Sequence, residues 1–358
     1  MRTVGGPGNF GGIRMSAKTF FRCALGAALC CGALSGCGLF SSGEPEDAKK
    51  PEAAVAALPE PDAKRVESDE KWGIKFSEDK RTLLKYNPQL RVKKYVVPAG
   101  VTAIGEKAFL ESPNLAEVIL PAGVTTIGKG AFAGCRELVS VSIPSGVTEI
   151  GFGAFFRCPK LKTATLPPTV TAIGKKAFAG CVGLESVVIP PGVTEIGERA
   201  FFGCTNLTKV ALPVGVTTIG SGAFRGCAKL TDVTFAKGVR TIGNSAFAEC
   251  KSLKAIAIPA GAESIGEGAF SECWDLARVT IEPGVTSIGK GAFFRCEKLA
   301  AATLPEGLVS IDEIAFAECR SLKEIAIPKS VTSIGKGAFR DSPSDEKVME
   351  THPDLYRM

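Results

Sequence analysis

Hydrophobic residues recur along most of this chain at a constant interval of 23 residues. One position of the interval is phenylalanine in every copy: Phe109, Phe132, Phe155, Phe178, Phe201, Phe224, Phe247, Phe270, Phe293, Phe316 and Phe339. Isoleucine, leucine and cysteine keep the same register within 104–334, 115–322 and 135–319. A strict period of this length predicts a repeat architecture in which each unit packs mainly on its two neighbours.

The unit at residues 138–160 predicts two short strands. Val141 and Ile143 alternate with outward residues, as in a half-buried strand. Pro144 ends this strand because proline has no N–H for the ladder. After a Ser-Gly turn, Val147 and Ile150 predict a second extended edge.

The second half of the same unit predicts a short helical turn. Ala154, Cys158 and Leu161 follow one another at the spacing of one helix face, and Phe155 precedes the cysteine by three residues. Gly151, between the strand and this turn, is expected to have a positive φ. Since no unit can bury its own apolar stripe, stacking of the units should create one continuous core.

The motif Leu-x-x-Val-x-Ile-Pro-x-x-Val-Thr-x-Ile-Gly-x-x-Ala-Phe-x-x-Cys resembles the BspA-like leucine-rich repeat family over about residues 90–341. The predicted fold is therefore a mostly β α/β solenoid. The expected form is a right-handed leucine-rich-repeat stack of 23-residue units, with parallel sheets on its faces and short helical turns. Members of this family are often secreted or attached to the surface, and several are implicated in adhesion. The resemblance therefore implies a binding module.

Both ends of the repeat domain, residues 98–341, are expected to be capped. Residues 67–97 form the predicted N-terminal cap, which contains a β-hairpin at 71–86 around a polar turn. Tyr86 lies one interval before Phe109 and could close the first end. Residues 342–358 are predicted to be a polar C-terminal tail.

Residues 1–36 have the pattern of a secretory signal. Basic residues precede a short apolar stretch at 23–34, which is too short to span a bilayer. The segment Leu34-Ser35-Gly36-Cys37 resembles the lipobox of bacterial lipoproteins, which implies that Cys37 becomes the diacylated N-terminus. An ordinary signal peptide with a chance cysteine is the alternative. Either Met1 or Met15 could be the true start.

Residues 37–66 are rich in proline, alanine and charge, which predicts a disordered tether. The protein is therefore expected to be exported and anchored in the cell envelope through lipid at Cys37. Gly38 stands where some inner-membrane lipoproteins have aspartate. This favours the outer membrane or cell surface over the periplasmic face.

The charge and the inventory of side chains argue against several functions. The net charge is +6, and removal of the leader cations leaves about +2, so no nucleic-acid partner is predicted. His352 is the only histidine. Scattered carboxylates and the absence of known catalytic motifs predict no enzyme, no catalytic residues and no cofactor.

The cysteines of the repeats could bind metal or store redox equivalents, but they contain no Cys-x-x-Cys pair. Equivalent side chains in a stack point in the same direction. We therefore predict that the thiols are free, buried, small apolar groups and that no metal is bound.

Four aromatic residues break the repeat pattern and are the candidate partner-binding residues: Phe156, Phe202, Phe294 and Trp274. Exposed aromatics often anchor interfaces. The alternative is that they fold back over the edge beneath the turns. The predicted function is an adhesin-like, envelope-anchored module that binds a protein or glycan. The alternative is a periplasmic structural scaffold without a diffusible ligand.

Overall fold

The computed structural model describes residue 60 and residues 62–355. These residues belong to one compact unit. The predicted signal peptide, Cys37 and the tether as far as residue 59 lie outside the described residues.

The described part of the chain is a mostly β, parallel solenoid, as predicted. One set of strands lies on the isoleucine side of the repeats: β4 (Ala103–Ile104), β6 (Thr126–Ile127), β8 (Glu149–Ile150), β10 (Ala172–Ile173), β12 (Glu195–Ile196), β14 (Thr218–Ile219), β16 (Thr241–Ile242), β18 (Ser264–Ile265), β20 (Ser287–Ile288), β22 (Ser310–Ile311) and β24 (Ser333–Ile334). The other set follows the repeat leucine: β3 (Lys94–Val96), β5 (Glu117–Ile119), β7 (Ser140–Ser142), β9 (Thr163–Thr165), β11 (Ser186–Val188), β13 (Lys209–Leu212), β15 (Asp232–Phe235), β17 (Ala255–Ile258), β19 (Arg278–Ile281), β21 (Ala301–Thr303) and β23 (Glu324–Ile325).

The two sets form sheets on different sides of the stack. The isoleucine side carries a nine-stranded sheet from β8 to β24, whereas the other side is divided into shorter sheets of two to four strands. Strands of successive repeats pair in parallel with a shift of one interval, so that Ile150 faces Ile173 and Ala164 faces Val187. The short strands follow from the proline or turn residues that end each extended segment.

The predicted helical turn is wrong. Residues two before and two after the core phenylalanine have positive φ, for example Gly130 at 60° and Gly134 at 72°, whereas an α-helix needs negative φ throughout. The segment is a series of tight turns: Ala131 N–H donates to Gly128 O at 3.1 Å, and Ala133 N–H to Gly130 O at 3.0 Å. Because residues with left-handed φ alternate here with residues of right-handed φ, the apolar side chains recur at a spacing close to that of a helix face.

These turns form a third hydrogen-bonded ladder along the stack. Phe132 N–H donates to Ala154 O of the next repeat at 2.8 Å, and Gly134 N–H donates to Phe156 O at 2.7 Å. Backbone groups that a helix would satisfy internally are therefore satisfied between repeats.

The expected positive φ at Gly151 is also wrong, since Gly151 is not among the left-handed glycines. Later glycines of this column are needed because two backbones approach closely. A Cβ on Gly174 would lie 2.9 Å from Ile150 O, and one on Gly197 would lie 2.6 Å from the carbonyl carbon of Gly174. Asp312 occupies the same position in its own repeat.

The centre of the stack is a continuous column of phenylalanine rings. Successive rings from Phe109 to Phe339 lie 4.9–5.4 Å apart, and their planes differ by at most 12°. All of these rings are buried. Such burial of a large apolar side chain in every unit supplies much of the hydrophobic stabilisation of the fold.

The prediction that the thiols of the repeats are free and buried is confirmed. All nine repeat cysteines are free and buried. Each thiol donates to the carbonyl oxygen of the core phenylalanine in the preceding repeat, at 3.0–3.3 Å. The thiol thus fills a small apolar site and satisfies a backbone acceptor.

The N-terminal hairpin is confirmed: β1 (Lys75–Phe76) pairs antiparallel with β2 (Thr82–Lys85). Tyr86 is buried, and its ring packs on that of Phe109 at 5.2 Å with a tilt of 32°, so it closes the ring column. The predicted tether boundary at residue 66 is wrong, because helix α1 begins at Ala63 and extends to Lys71. Val66 is fully buried in the cap, and an apolar side chain held in this way orders the preceding turn.

The predicted polar tail is an ordered C-terminal cap. Helix α2 (Asp345–Thr351) is followed by a 3₁₀ helix (Pro353–Leu355). Val348 is buried and belongs to the hydrophobic core. Polar neighbours concealed this one apolar anchor in the sequence. Residues 356–358 lie outside the described residues.

Candidate interaction surface

The four candidate aromatics all lie on the side of the stack formed by the tight turns. We define the turn face as the eight residues from three before to four after each core phenylalanine. Phe156, Phe202 and Phe294 follow directly after a core ring, and Trp274 follows a buried cysteine. Each therefore projects from the third ladder rather than from a sheet.

Phe156 shares its repeat with a second exposed aromatic. Phe156 is half-buried, and the Arg157 guanidinium lies 5.1 Å from its ring centre. Phe152 is 41% exposed, with the Lys129 ammonium 4.9 Å from its ring centre. Cations at these distances interact favourably with an aromatic face.

Phe202 is the least covered of the three phenylalanines. It is 39% exposed, and no cation of the described residues lies over its ring. Gly180 donates its N–H to Phe202 O, and a Cβ on Gly203 would meet open space. Because Gly180 and Gly203 have no side chains, the Phe202 ring protrudes from the surface around it.

Phe294 and Trp274 form a separate group. Phe294 is half-buried, with Arg295 5.6 Å from its ring centre, and it lines a shallow groove of about 400 Å³ with Ile314. Trp274 is 40% exposed, and the Lys251 ammonium lies 4.0 Å from its ring centre. Phe202 and Phe294 are four repeats apart, so the structure does not bring all four candidates together.

The predicted alternative is that the aromatics fold back over the edge beneath the turns. It applies in part to two of the four residues. Phe156 and Phe294 pack partly on their own segments, near Gly153 and Gly291. Phe202 and Trp274 remain substantially exposed.

The first of two contrasting regions is the basic stretch, defined as the turn faces of the repeats with core Phe132, Phe155, Phe178 and Phe201. It contains six cations and one carboxylate: Lys129, Arg136, Arg157, Lys175, Lys176, Arg199 and Glu198. Only Lys175 is paired, at 2.6 Å from Glu198, and this hydrogen bond lowers the pKa of Glu198. Among the described residues, Arg136, Lys176 and Arg199 have no ion-pair partner.

The acidic stretch consists of the turn faces of the repeats with core Phe247, Phe270, Phe293 and Phe316. It contains six carboxylates and four cations: Glu249, Glu267, Glu272, Glu297, Glu313, Glu318, Lys251, Lys290, Arg295 and Arg320. Two of its four cations are paired between repeats, with Lys290 2.7 Å from Glu313 and Arg295 3.0 Å from Glu318. The hydrogen bond from Lys290 lowers the pKa of Glu313.

Sequence reasoning found the aromatic residues but missed the cations beside them. Lys129 and Phe152 are one interval apart, as are Lys175 and Glu198. Two residues that are 23 positions apart in the sequence are therefore neighbours in adjacent repeats. This rule could have been used to predict the cation–aromatic pair and the ion pair from the sequence.

The buried thiols are poor nucleophiles. Burial raises the pKa values of four thiols to about 12: Cys135, Cys227, Cys273 and Cys319. A thiol must be deprotonated to react readily. Within 60–355, excepting residue 61, no group of three or more metal-binding side chains converges. The part of the chain that the structure describes contains no helix long and apolar enough to span a membrane.

The fold and the ladders define a solenoid protein of the leucine-rich-repeat class. The family model of the BspA type leucine rich repeat region matches residues 86–208, 171–300 and 217–346, which together cover well over half of the sequence. The chain therefore belongs to the BspA-type leucine-rich repeat family. Repeats of this family typically form non-enzymatic modules that bind other proteins.

Solved structures with the same type of fold come from several bacteria. A leucine-rich cell-surface protein of Faecalibacterium prausnitzii is 28% identical, with a TM-score of 0.49, and the match covers 75% of this chain and 83% of that one. A leucine-rich repeat protein of Eubacterium ventriosum is 25% identical, with a TM-score of 0.48 and coverage of 73% and 88%. The pneumococcal vaccine antigen PcpA is 21% identical, with a TM-score of 0.52 and coverage of 73% and 72%. The last likeness concerns the fold alone. No curated protein matches the sequence significantly.

Proposed function

We propose that this protein is an adhesin-like interaction module, anchored in the cell envelope through lipid at Cys37. Its turn face at residues 129–205 would contact a protein or glycan outside the cell. The observation that carries the proposal is the group of exposed aromatic side chains and unpaired cations in the basic stretch. Membership of the BspA-type family supports a binding role.

Surface exposure is the first property to test. An antibody against the repeat domain should label intact cells as strongly as permeabilised cells. Labelling only after permeabilisation would reject the adhesin-like role. It would favour the alternative of a periplasmic scaffold.

The anchor is tested separately from the binding surface. A fatty-acid analogue supplied to growing cells should label the full-length protein, and Cys37→Ala should abolish that labelling. If Cys37→Ala keeps the label, the lipobox assignment is wrong, whatever the turn face binds.

The binding surface is tested with matched aromatic substitutions. Phe156→Ala together with Phe202→Ala should weaken adhesion of the cells, because these rings lie in the basic stretch. Phe294→Ala with Trp274→Ala makes an equivalent change in the acidic stretch and should have less effect. Equal effects of the two pairs would contradict the choice of Phe156 and Phe202 as the main contact. Circular dichroism of each variant checks that the fold is retained.

A further inference from the structure

The basic stretch combines features that suit a linear, negatively charged polymer. Its cations are spread over four consecutive repeats, and the core rings beneath them advance by 5.2–5.4 Å per repeat. A polyanion with charges at regular intervals could therefore meet several cations along the axis at once. Such multiple contacts raise affinity even when each exposed pair contributes little.

Two cations of this stretch lie against the backbone of the next repeat. Arg157 and Arg199 both have left-handed φ values, 55° and 54°. Their side chains lie across the glycine of the next repeat: Arg157 Cγ is 3.1 Å from a Cβ position on Gly180, and Arg199 Cγ is 3.3 Å from one on Gly222. The glycines make room for these side chains to run along the axis.

Between the cations the surface is formed by small residues. Gly134, Gly180 and Gly203, with the small Ala133 and Ala179, separate the exposed rings. A folded protein partner usually anchors side chains in pockets. A chain of sugar rings instead needs flat aromatic faces, since the C–H groups of a pyranose ring stack on them, and cations for its acidic groups. Phe152 and Phe202 offer such faces, and Arg guanidinium groups pair well with carboxylate and sulfate.

We propose that the basic stretch binds an acidic polysaccharide, such as a polymer of uronic acids, laid along the solenoid axis. This inference rests on the proposed function, and it narrows the partner to one chemical class. Phe152 and Phe202 stack on sugar rings. Arg136, Arg157, Lys176 and Arg199 pair with the acidic groups. Glu198 is the only carboxylate on these four turn faces, and it is already paired with Lys175.

The test uses the full-length protein in detergent and surface-immobilised polysaccharides. Polygalacturonate should bind, and neutral dextran should not. Binding should weaken steeply as salt is raised from about 50 to 300 mM, because the exposed charges are screened. Arg157→Gln, Lys176→Gln and Arg199→Gln together should weaken binding by about 10- to 100-fold. The matched variant Lys251→Gln, Lys290→Gln and Arg295→Gln removes three cations from the acidic stretch and should leave binding unchanged.

A ring substitution separates stacking from charge. Phe202→Ala should weaken polygalacturonate binding by about 5- to 10-fold without reducing its salt dependence. A polymer with charge but no sugar ring, poly-glutamate, should bind less tightly than polygalacturonate of equal charge and should not respond to Phe202→Ala.

Several outcomes would overturn the inference. These are absence of polygalacturonate binding, equal loss in the matched triple variant, or stronger binding of poly-glutamate, which would point to an acidic protein partner. Preference for anionic phosphatidylglycerol vesicles over the polysaccharide would also reject it in favour of a membrane surface. The proposed function fails independently, if intact cells are not labelled by the antibody.

Discussion

The basic and acidic stretches of the turn face share one backbone and one core but have different surfaces. In the basic stretch, Phe155 and Phe178 stack at 5.2 Å, and in the acidic stretch Phe293 and Phe316 stack at 5.1 Å. The buried thiols donate to phenylalanine carbonyls in both. The eight-residue segments differ only where side chains leave the core. The positions that build the core of a repeat are therefore different from the positions that determine its surface.

The surfaces differ in how their charges are arranged as well as in their sign. Two cations of the acidic stretch, Lys290 and Arg295, pair with carboxylates in the next repeat. Most cations of the basic stretch have no such partner and retain a positive potential toward solvent. The same 23-residue register can therefore produce a surface with ion pairs between repeats or a surface whose cations remain available to an outside anion.

The largest effect we expect concerns the core shared by both stretches, at alkaline pH. Eight buried thiols have folded pKa values raised above the ordinary value, seven of them chiefly through burial and Cys158 chiefly through a side-chain hydrogen bond with Cys181, followed by burial. Their stabilisation is complete below the unfolded pKa of about 8.5 and is lost as pH rises through the folded values. Each such thiol should cost about 1.4 kcal/mol of unfolding free energy per pH unit in that window. Urea unfolding between pH 7 and 11 measures this loss.

A matched variant identifies the groups responsible for the alkaline loss. Cys227→Ala with Cys273→Ala removes two thiols whose pKa values are about 12. The variant should be less stable at pH 7, because two cavities form, but its stability should fall less steeply with pH. An unchanged slope would assign the alkaline transition to other groups.

The ring column should respond equally in the two stretches. Phe201→Ala and Phe293→Ala each remove a fully buried ring between two stacked neighbours. Each should lower the unfolding free energy by about 3–5 kcal/mol, measured by chemical denaturation. If one variant lost only a small fraction of this, the claim that both stretches share one core would be wrong.

Two glycines of the same repeat should differ in their tolerance of a methyl group. A Cβ on Gly197 would lie 2.6 Å from backbone carbon, whereas one on Gly203 would meet open space. Gly203→Ala should cost about 1–2 kcal/mol, because its φ is +68°. Gly197→Ala should cost more than that in the same thermal or denaturant assay. The reverse order would mean that backbone contact is not what requires glycine in this column.

The smallest effect should come from the paired charges of the acidic stretch. Lys290→Ala removes an exposed ion pair with Glu313. Its melting temperature should be indistinguishable from that of the parent protein, because solvent and salt screen exposed pairs. A clear fall in melting temperature would show that these pairs support the stack as well as balancing its charge.

Much of this fold could be predicted because each apolar column repeats in every unit. The two strands per unit and the closing role of Tyr86 followed from periodicity. The turn conformation was missed because apolar spacing near that of a helix also arises when left-handed residues alternate with right-handed ones. Gly130 and Gly134, two before and two after Phe132, were the available clue. Ala63 and Val348 were assigned to polar ends because one apolar anchor gives no periodic signal.

Only part of the candidate surface could be predicted from the sequence, for a related reason. Phe156, Phe202, Phe294 and Trp274 stand out by their residue type. Their separation into two groups, and the cations over Phe152 and Phe156, depend on side-chain directions that periodicity does not specify. What the aromatics bind stays a prediction.

Because the shift between paired strands is constant, whole repeat units could be removed or added without changing the register of the others. Ile150 pairs with Ile173, and Ile173 pairs with Ile196 by the same rule. Loss of one complete unit from the coding sequence would let the flanking units meet in the old register, whereas loss of a single residue would displace every column beyond it. Duplication or deletion of whole units by recombination between the similar coding segments could therefore lengthen or shorten the protein. Such changes would move the basic stretch relative to the N-terminal cap without redesigning the core.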